Sequence, residues 1–153
     1  MEIESGISAI SFGRMDQYLF PFLKADLEKG IINLDRAQEL VDCFWIKANE
    51  QNNVTEDAGR AVTIGGKNVN SEDLVNELTY LMLSSAGELK LLQPKLNARF
   101  HPGSPEKYLD LCCKVLAGNV GPQFYNDEVI ISSLQNYGYS FEDAVDYGCI
   151  GCY

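Results

Sequence analysis

The chain has 153 residues, of which 46 % are hydrophobic and 22 % charged, ordinary values for a globular protein long enough to build one core. Twelve Lys and Arg against 22 Asp and Glu leave a formal charge of −10 with no basic cluster, which argues against a nucleic-acid partner. No apolar run approaches the ~20 residues of a membrane-spanning helix, the first residues carry neither a basic nor an apolar leader stretch, and an odd set of five cysteines speaks against a disulfide scaffold. A cytoplasmic protein is expected, with neither nucleic acid nor membrane as partner.

In chain order, Met15 to Lys29 reads as a helix with Leu19, Phe22, Leu23 and Leu27 on one face, a kink at Pro21 and a stop at Gly30. A second helix is expected from about Leu34 to Asn49, burying Ala37, Leu40, Val41, Phe44 and Ala48. Ala61-Val62-Thr63-Ile64 is extended and ends in a tight turn at Gly65-Gly66, which lacks the spacing and the lysine of a phosphate loop. Asn70 or Ser71 is expected to cap a third helix, with Glu72 and Asp73 in its first turn and Leu74, Leu78, Leu81 and Met82 on its apolar face.

Leu96 to Phe100 alternates apolar and polar residues, the pattern of a strand with one covered face. Ser104-Pro105-Glu106 opens a helix that Gly118 ends. Gln123-Phe124-Tyr125 is a short strand candidate, followed by a helix capped by Asn126 and closed by Gly138, and Ser140 opens a last short helix through a capping box. Strands alternating with helices predict an α/β fold.

Three stretches in this order resemble the glycyl radical enzymes, the relatives of pyruvate formate-lyase and of the glycerol- and choline-cleaving lyases. They are Ser11-Phe12-Gly13-Arg14-Met15-Asp16-Gln17-Tyr18-Leu19-Phe20-Pro21; Gln93-Pro94-Lys95-Leu96-Asn97-Ala98-Arg99-Phe100-His101; and Phe124-Tyr125-Asn126-Asp127-Glu128-Val129-Ile130-Ile131 with Asp146-Tyr147-Gly148-Cys149-Ile150-Gly151-Cys152. Ile64-Gly65-Gly66 and Asn76-Glu77-Leu78 are lesser matches between them, so the resemblance runs from Ile3 to Tyr153.

The resemblance implies that residues 1–153 form a single partial domain, the central part of a ten-stranded α/β barrel in a longer enzyme. Cys152 is the residue it implies for the thiyl radical. The glycyl radical would lie in a later part of the polypeptide, installed by a separate activating enzyme that uses S-adenosylmethionine and an iron–sulfur cluster; no cofactor is expected on this piece, which should be inactive alone. The substrate would be a small molecule, and the complete enzyme a homodimer. Gly151-Cys152 matches the dehydratases, lyases and decarboxylases, whereas formate-lyases carry two adjacent cysteines, so cleavage of a C–O, C–N, C–S or C–C bond is the expected reaction. The family's partner glutamate would fall one residue past Tyr153.

Other readings stay open. A formate C-acetyltransferase-like enzyme is one alternative, and a non-enzymatic acidic helical binding module another. Cys149-Ile150-Gly151-Cys152 also has the form of a redox dithiol or half a zinc site, although His101 is the single histidine. Arg99 falls on the same side of its strand as Asn97, a position from which it would reach a substrate carboxylate or phosphate, form a surface salt bridge, or lie on a solvated face. Arg14 and Asp16 are expected to form an ion pair or cap, His101 to be a surface or loop residue, and Cys112, beside Cys113, to pack in the core. Phe124 and Tyr125 would line the barrel or pack in the core.

Overall fold

The computed structural model describes residues 9–50 and 59–150. Four strands, β1 (Ala9–Ser11), β2 (Gly59–Gly65), β3 (Lys95–Phe100) and β4 (Gln123–Asn126), form one all-parallel sheet in the order β1-β2-β3-β4. The connections hold α1 (Met15–Tyr18), α2 (Phe20–Glu28) and α3 (Leu34–Asn49), then α4 (Glu77–Leu89), then α5 (Glu106–Val115) with a π-helical turn over Leu116–Val120. Helices α6 (Asp127–Asn136) and α7 (Phe141–Val145) follow β4. Each strand is thus returned to the same end of the sheet by helical chain, as parallel pairing requires.

Alternation along the strands gives the sheet two unlike faces. Val62, Ile64, Leu96 and Ala98 point to one, where they share the main core with Trp45, Met82, Leu83 and Tyr108 from the helices. Thr63, Asn97 and Arg99, also buried, point to the other. There the cover is the segment after α7, which bonds to all three.

Helix α3 begins where the Asn33 side chain accepts the Arg36 N–H at 2.8 Å. Its buried stripe is Ala37, Val41, Trp45 and Ala48, while the expected Leu40 is 49 % exposed. The buried stripe centres on Val41 and Trp45, and Leu40, one residue round the helix, falls outside it. Pro21 does not kink a continuous helix. The break falls at Leu19, and Pro21 sits in the first turn of α2, where its missing N–H costs nothing.

The cap of α4 is Asn76, not Asn70 or Ser71; Asn76 Oδ1 accepts from the Leu78 and Thr79 N–H groups, and Thr79 Oγ1 accepts the Asn76 N–H. Residues 67–73 form a turn instead, in which Asn68 Oδ1 accepts the Asn70 and Glu72 N–H groups, Lys67 and Asp73 form an antiparallel backbone bridge, and Ser71 adopts a φ of 62°. The three-residue β1 has no counterpart among the expected strands. Asn126 and Ser140 cap α6 and α7 as expected.

Asp16 closes the end of β2 from below. Fully buried, its Oδ2 accepts the Gly65 N–H at 2.7 Å and the Thr79 hydroxyl at 2.8 Å, while Oδ1 has no partner among the described residues. Burial pushes the carboxyl from 3.8 up to about 6, against the pull of those two hydrogen bonds and of Arg14. A folded-state pKa above the unfolded one favours the folded state at low pH, and this contribution is lost as pH rises through about 6. Asp16→Asn keeps an acceptor for both donors and stays neutral. Its stability relative to the native chain is therefore expected to rise by up to about 3 kcal/mol from about pH 4 to about pH 7, as read by urea unfolding at each pH. A flat difference across that range would show the buried charge to be fully compensated.

Candidate active site

The site is built where the end of β3, the start of α6 and the segment after α7 meet. Asp127 opens α6, where a carboxylate faces the unpaired N–H end of the helix. Its Oδ1 accepts Arg99 Nε at 2.9 Å and the Tyr147 hydroxyl at 2.8 Å; its Oδ2 accepts Arg99 Nη2 at 3.0 Å and the Lys67 N–H at 3.0 Å. Both Arg99 and Asp127 are wholly buried. This bidentate pair is the strong form of a carboxylate–guanidinium contact, and all four acceptor sites of the carboxylate are taken.

Arg99 also reaches the segment after α7. Nη2 donates to the Val145 carbonyl at 2.9 Å and Nη1 to the Tyr147 carbonyl at 3.0 Å, while the guanidinium carbon lies 3.9 Å over the centre of the Tyr147 ring. Tyr147 is therefore held through its carbonyl, its ring and its hydroxyl. Burial, the largest cause, raises the Tyr147 pKa, so this hydroxyl remains a donor to Asp127.

Two residues further on, Cys149 is held through its backbone. Its N–H donates to Thr63 Oγ1 at 3.1 Å, and its carbonyl accepts Asn97 Nδ2 at 3.0 Å. The segment runs antiparallel to the strands, because Val145 and Tyr147 sit by Arg99 whereas Cys149 sits by Asn97, two residues earlier on β3. Residues 145–149 thus run along the sheet from its strand-end side inward. The Cys149 thiol is half-buried, and burial raises its pKa against the opposing effects of Arg99 and of a Tyr125 hydrogen bond, which favours the S–H form.

At the mouth of this arrangement Arg14 Nη1 pairs with Asp146 Oδ1 at 2.7 Å, and Nη2 donates to the Gly65 carbonyl. Arg14 thus forms an ion pair, as expected, while the Asp16 carboxyl takes the Gly65 N–H and the Thr79 hydroxyl. Beside them lies a cleft of about 290 Å³ lined by Gly13, Arg14, Gln17, Tyr18, Asp146 and Gly148. His101 lies in a loop but is buried; the Gly103 N–H points at its Nδ1, and Nε2 faces Asp73 Oδ2 at 2.9 Å. Cys112 packs in the core with its pKa pushed up to about 12 by burial, so it stays an inert thiol.

Cys152, the expected radical carrier, lies outside the described residues, as do Ile3, Gly151 and Tyr153. Arg99 lies on the same face of β3 as Asn97, as expected, but it is wholly buried rather than at a solvated surface, with four of its five N–H donors engaged by Asp127, Val145 and Tyr147. Phe124 is partly exposed and turned from this face, while Tyr125 lies on it in register with Arg99. Sequence reasoning missed Thr63, Asp127 and Tyr147. Asp127 and Tyr147 stand inside the quoted motifs, and Thr63 interrupts an apolar strand, which is the signal that was available for each. No group of three or more metal-ligating side chains occurs among the described residues, and no described helix is long and apolar enough to cross a membrane.

A parallel sheet sheathed by helices on one face, with a cysteine-bearing loop pinned to the other, defines an α/β core. The family model described as pyruvate formate lyase-like matches residues 1–153, and the chain belongs to that family of glycyl radical enzymes. It is 41 % identical to an isethionate sulfite-lyase of Oleidesulfovibrio alaskensis, over 94 % of this chain and 19 % of that protein. It is 37 % identical to a trans-4-hydroxy-L-proline dehydratase of Clostridioides difficile, over 94 % of this chain and 20 % of that protein. Among solved structures, the glycerol-bound B12-independent glycerol dehydratase of Clostridium butyricum superposes with a TM-score of 0.86 at 36 % identity, over 97 % of this chain and 20 % of that one. The chain thus spans about a fifth of the length of the relatives it matches.

Proposed function

We propose that this chain is the part of a glycyl radical lyase or dehydratase that presents the radical cysteine, Cys152, to a small polar substrate inside a ten-stranded α/β barrel. The observation that supports the reading is the seating of residues 145–149, the segment just before Cys152 in the sequence, on the face of the sheet opposite the main core. In this reading the sulfur-centred radical takes a hydrogen atom from a substrate C–H bond, forming S–H and leaving a carbon radical. Cleavage of the neighbouring C–O, C–N, C–S or C–C bond follows, and the thiol returns a hydrogen atom to the product radical.

Cysteine suits this relay because its S–H bond can be broken and remade homolytically, a role separate from the thiolate chemistry that a low pKa would serve. The names of the relatives, dehydratases and a sulfite-lyase, support elimination from a small hydroxylated compound over acetyl transfer. The glycyl radical, in a later part of the polypeptide, would store the unpaired electron between turnovers once an S-adenosylmethionine- and iron–sulfur-dependent activating enzyme has formed it. Arg99, expected to meet a substrate anion, acts in this proposal through the loop it holds. A cytoplasmic homodimer is the assembly proposed.

The test is anaerobic activation of the complete polypeptide that carries this chain. An organic radical signal in the electron paramagnetic resonance spectrum, with consumption of a small diol or hydroxy acid, is expected. Absence of that signal after activation under conditions that activate a relative would overturn the reading.

A further inference from the structure

We propose that Thr63 and Asn97 are positioning residues for the radical step, a two-point clamp that fixes the loop three residues before Cys152. This rests on the reading of Cys152 given above. Thr63 Oγ1 accepts the Cys149 N–H at 3.1 Å, and Asn97 Nδ2 donates to the Cys149 carbonyl at 3.0 Å. Donor and acceptor of a single residue are thus met from two neighbouring strands, β2 and β3, whose residues Thr63 and Asn97 are themselves in register. The side chains reproduce the pairing that a further strand would supply, but they do so across the face of the sheet.

Two features separate this clamp from ordinary packing. It grips backbone groups, so it fixes the path of the chain whatever side chain stands at residue 149. And it keeps a liability, because the fully buried Asn97 has its Oδ1 without a partner among the described residues. Stability alone would favour an apolar side chain on such a buried strand position. A polar group retained at a cost to the fold is expected where geometry serves function.

The clamp bears on chemistry through reach. Three residues of extended chain span at most about 10 Å, so fixing Cys149 limits how far Cys152 can stray from it. Hydrogen-atom transfer needs the sulfur in contact with its partner, and a displacement of about 1 Å can cost about a hundredfold in rate.

The experiment uses the complete, activated enzyme with Thr63→Val, Thr63→Ser and Asn97→Leu. Thr63→Val and Asn97→Leu are expected to lower kcat about tenfold or more, with the glycyl radical signal at its native amplitude and KM moved by no more than about twofold. Thr63→Ser, which keeps the acceptor, should restore most of kcat. In Thr63→Val the Cys149 amide should exchange its hydrogen faster than in the native protein. Native kcat in Thr63→Val, an equal loss in Thr63→Ser, or a loss confined to KM would each overturn the proposal. Should the native enzyme form no radical, the functional reading fails instead, and the exchange rate still decides the clamp: an unchanged rate in Thr63→Val overturns it.

Discussion

Replacing Asp127 by Ala is expected to cost about 3–5 kcal/mol of folding stability, because it leaves a buried guanidinium without its counter-charge. Four donors converge on this carboxylate: Nε and Nη2 of Arg99, the Tyr147 hydroxyl and the Lys67 N–H. Neither Arg99 nor Asp127 has exposed side chain, so water cannot replace what is removed. Arg99 would stay anchored to the Val145 and Tyr147 carbonyls, which neutralise no charge.

Arg99→Lys is expected to be poorly tolerated as well, since an ammonium cannot make the bidentate contact and also reach both carbonyls. Replacing both partners, Arg99→Met with Asp127→Leu, should recover only the part of the loss due to the lone charge, because the Tyr147 hydroxyl, the Lys67 N–H and the Val145 and Tyr147 carbonyls then lose their partners. Urea unfolding measures each value through the midpoint at constant slope. A cost below about 1 kcal/mol for Asp127→Ala would place the pair in the class of solvated surface bridges.

What sequence reveals here divides by the distance over which the information is carried. Helix starts at Asn126 and Ser140 are legible because a cap is a contact between neighbours in the chain. Asn76 is missed for the same reason turned round: Asn68 to Asp73 offers cap-like residues that are used for a turn. β1 has only three residues and owes its conformation to pairing with β2, about fifty residues later, so nothing local announces it.

The site follows the same rule. Alternation along β3 places Asn97 and Arg99 on one face, and the structure keeps them there. Their partners lie 52 residues on at Cys149 and 28 residues on at Asp127, separations that periodicity does not encode. A family resemblance supplied the order of the motifs. It did not supply the contact between them: the second motif holds the third through Arg99 and Asn97, while Thr63, outside the quoted stretches, completes the grip on Cys149.

The largest effect on activity is expected from Cys152→Ser in the complete, activated enzyme: turnover falls to background while the glycyl radical still forms. A hydroxyl occupies nearly the same space as the thiol, so the loop can keep its path, but the stronger O–H bond cannot exchange a hydrogen atom both with a glycyl radical and with a substrate carbon. Cys149→Ser is the matched comparison, and it should leave most of the activity. The contacts that hold residue 149 to Thr63 and Asn97 use its N–H and carbonyl, which serine retains, and the burial that raises the Cys149 pKa disfavours the thiolate a redox dithiol would use. Substrate consumption and the radical signal, measured together for both variants, separate the possibilities. A dead Cys149→Ser beside an active Cys152→Ser would move the radical three residues up the chain, and loss of activity in both would make the two thiols a functional pair. Loss in Cys152→Ser alone leaves residue 149 as the anchor, and residue 152 as the atom it places.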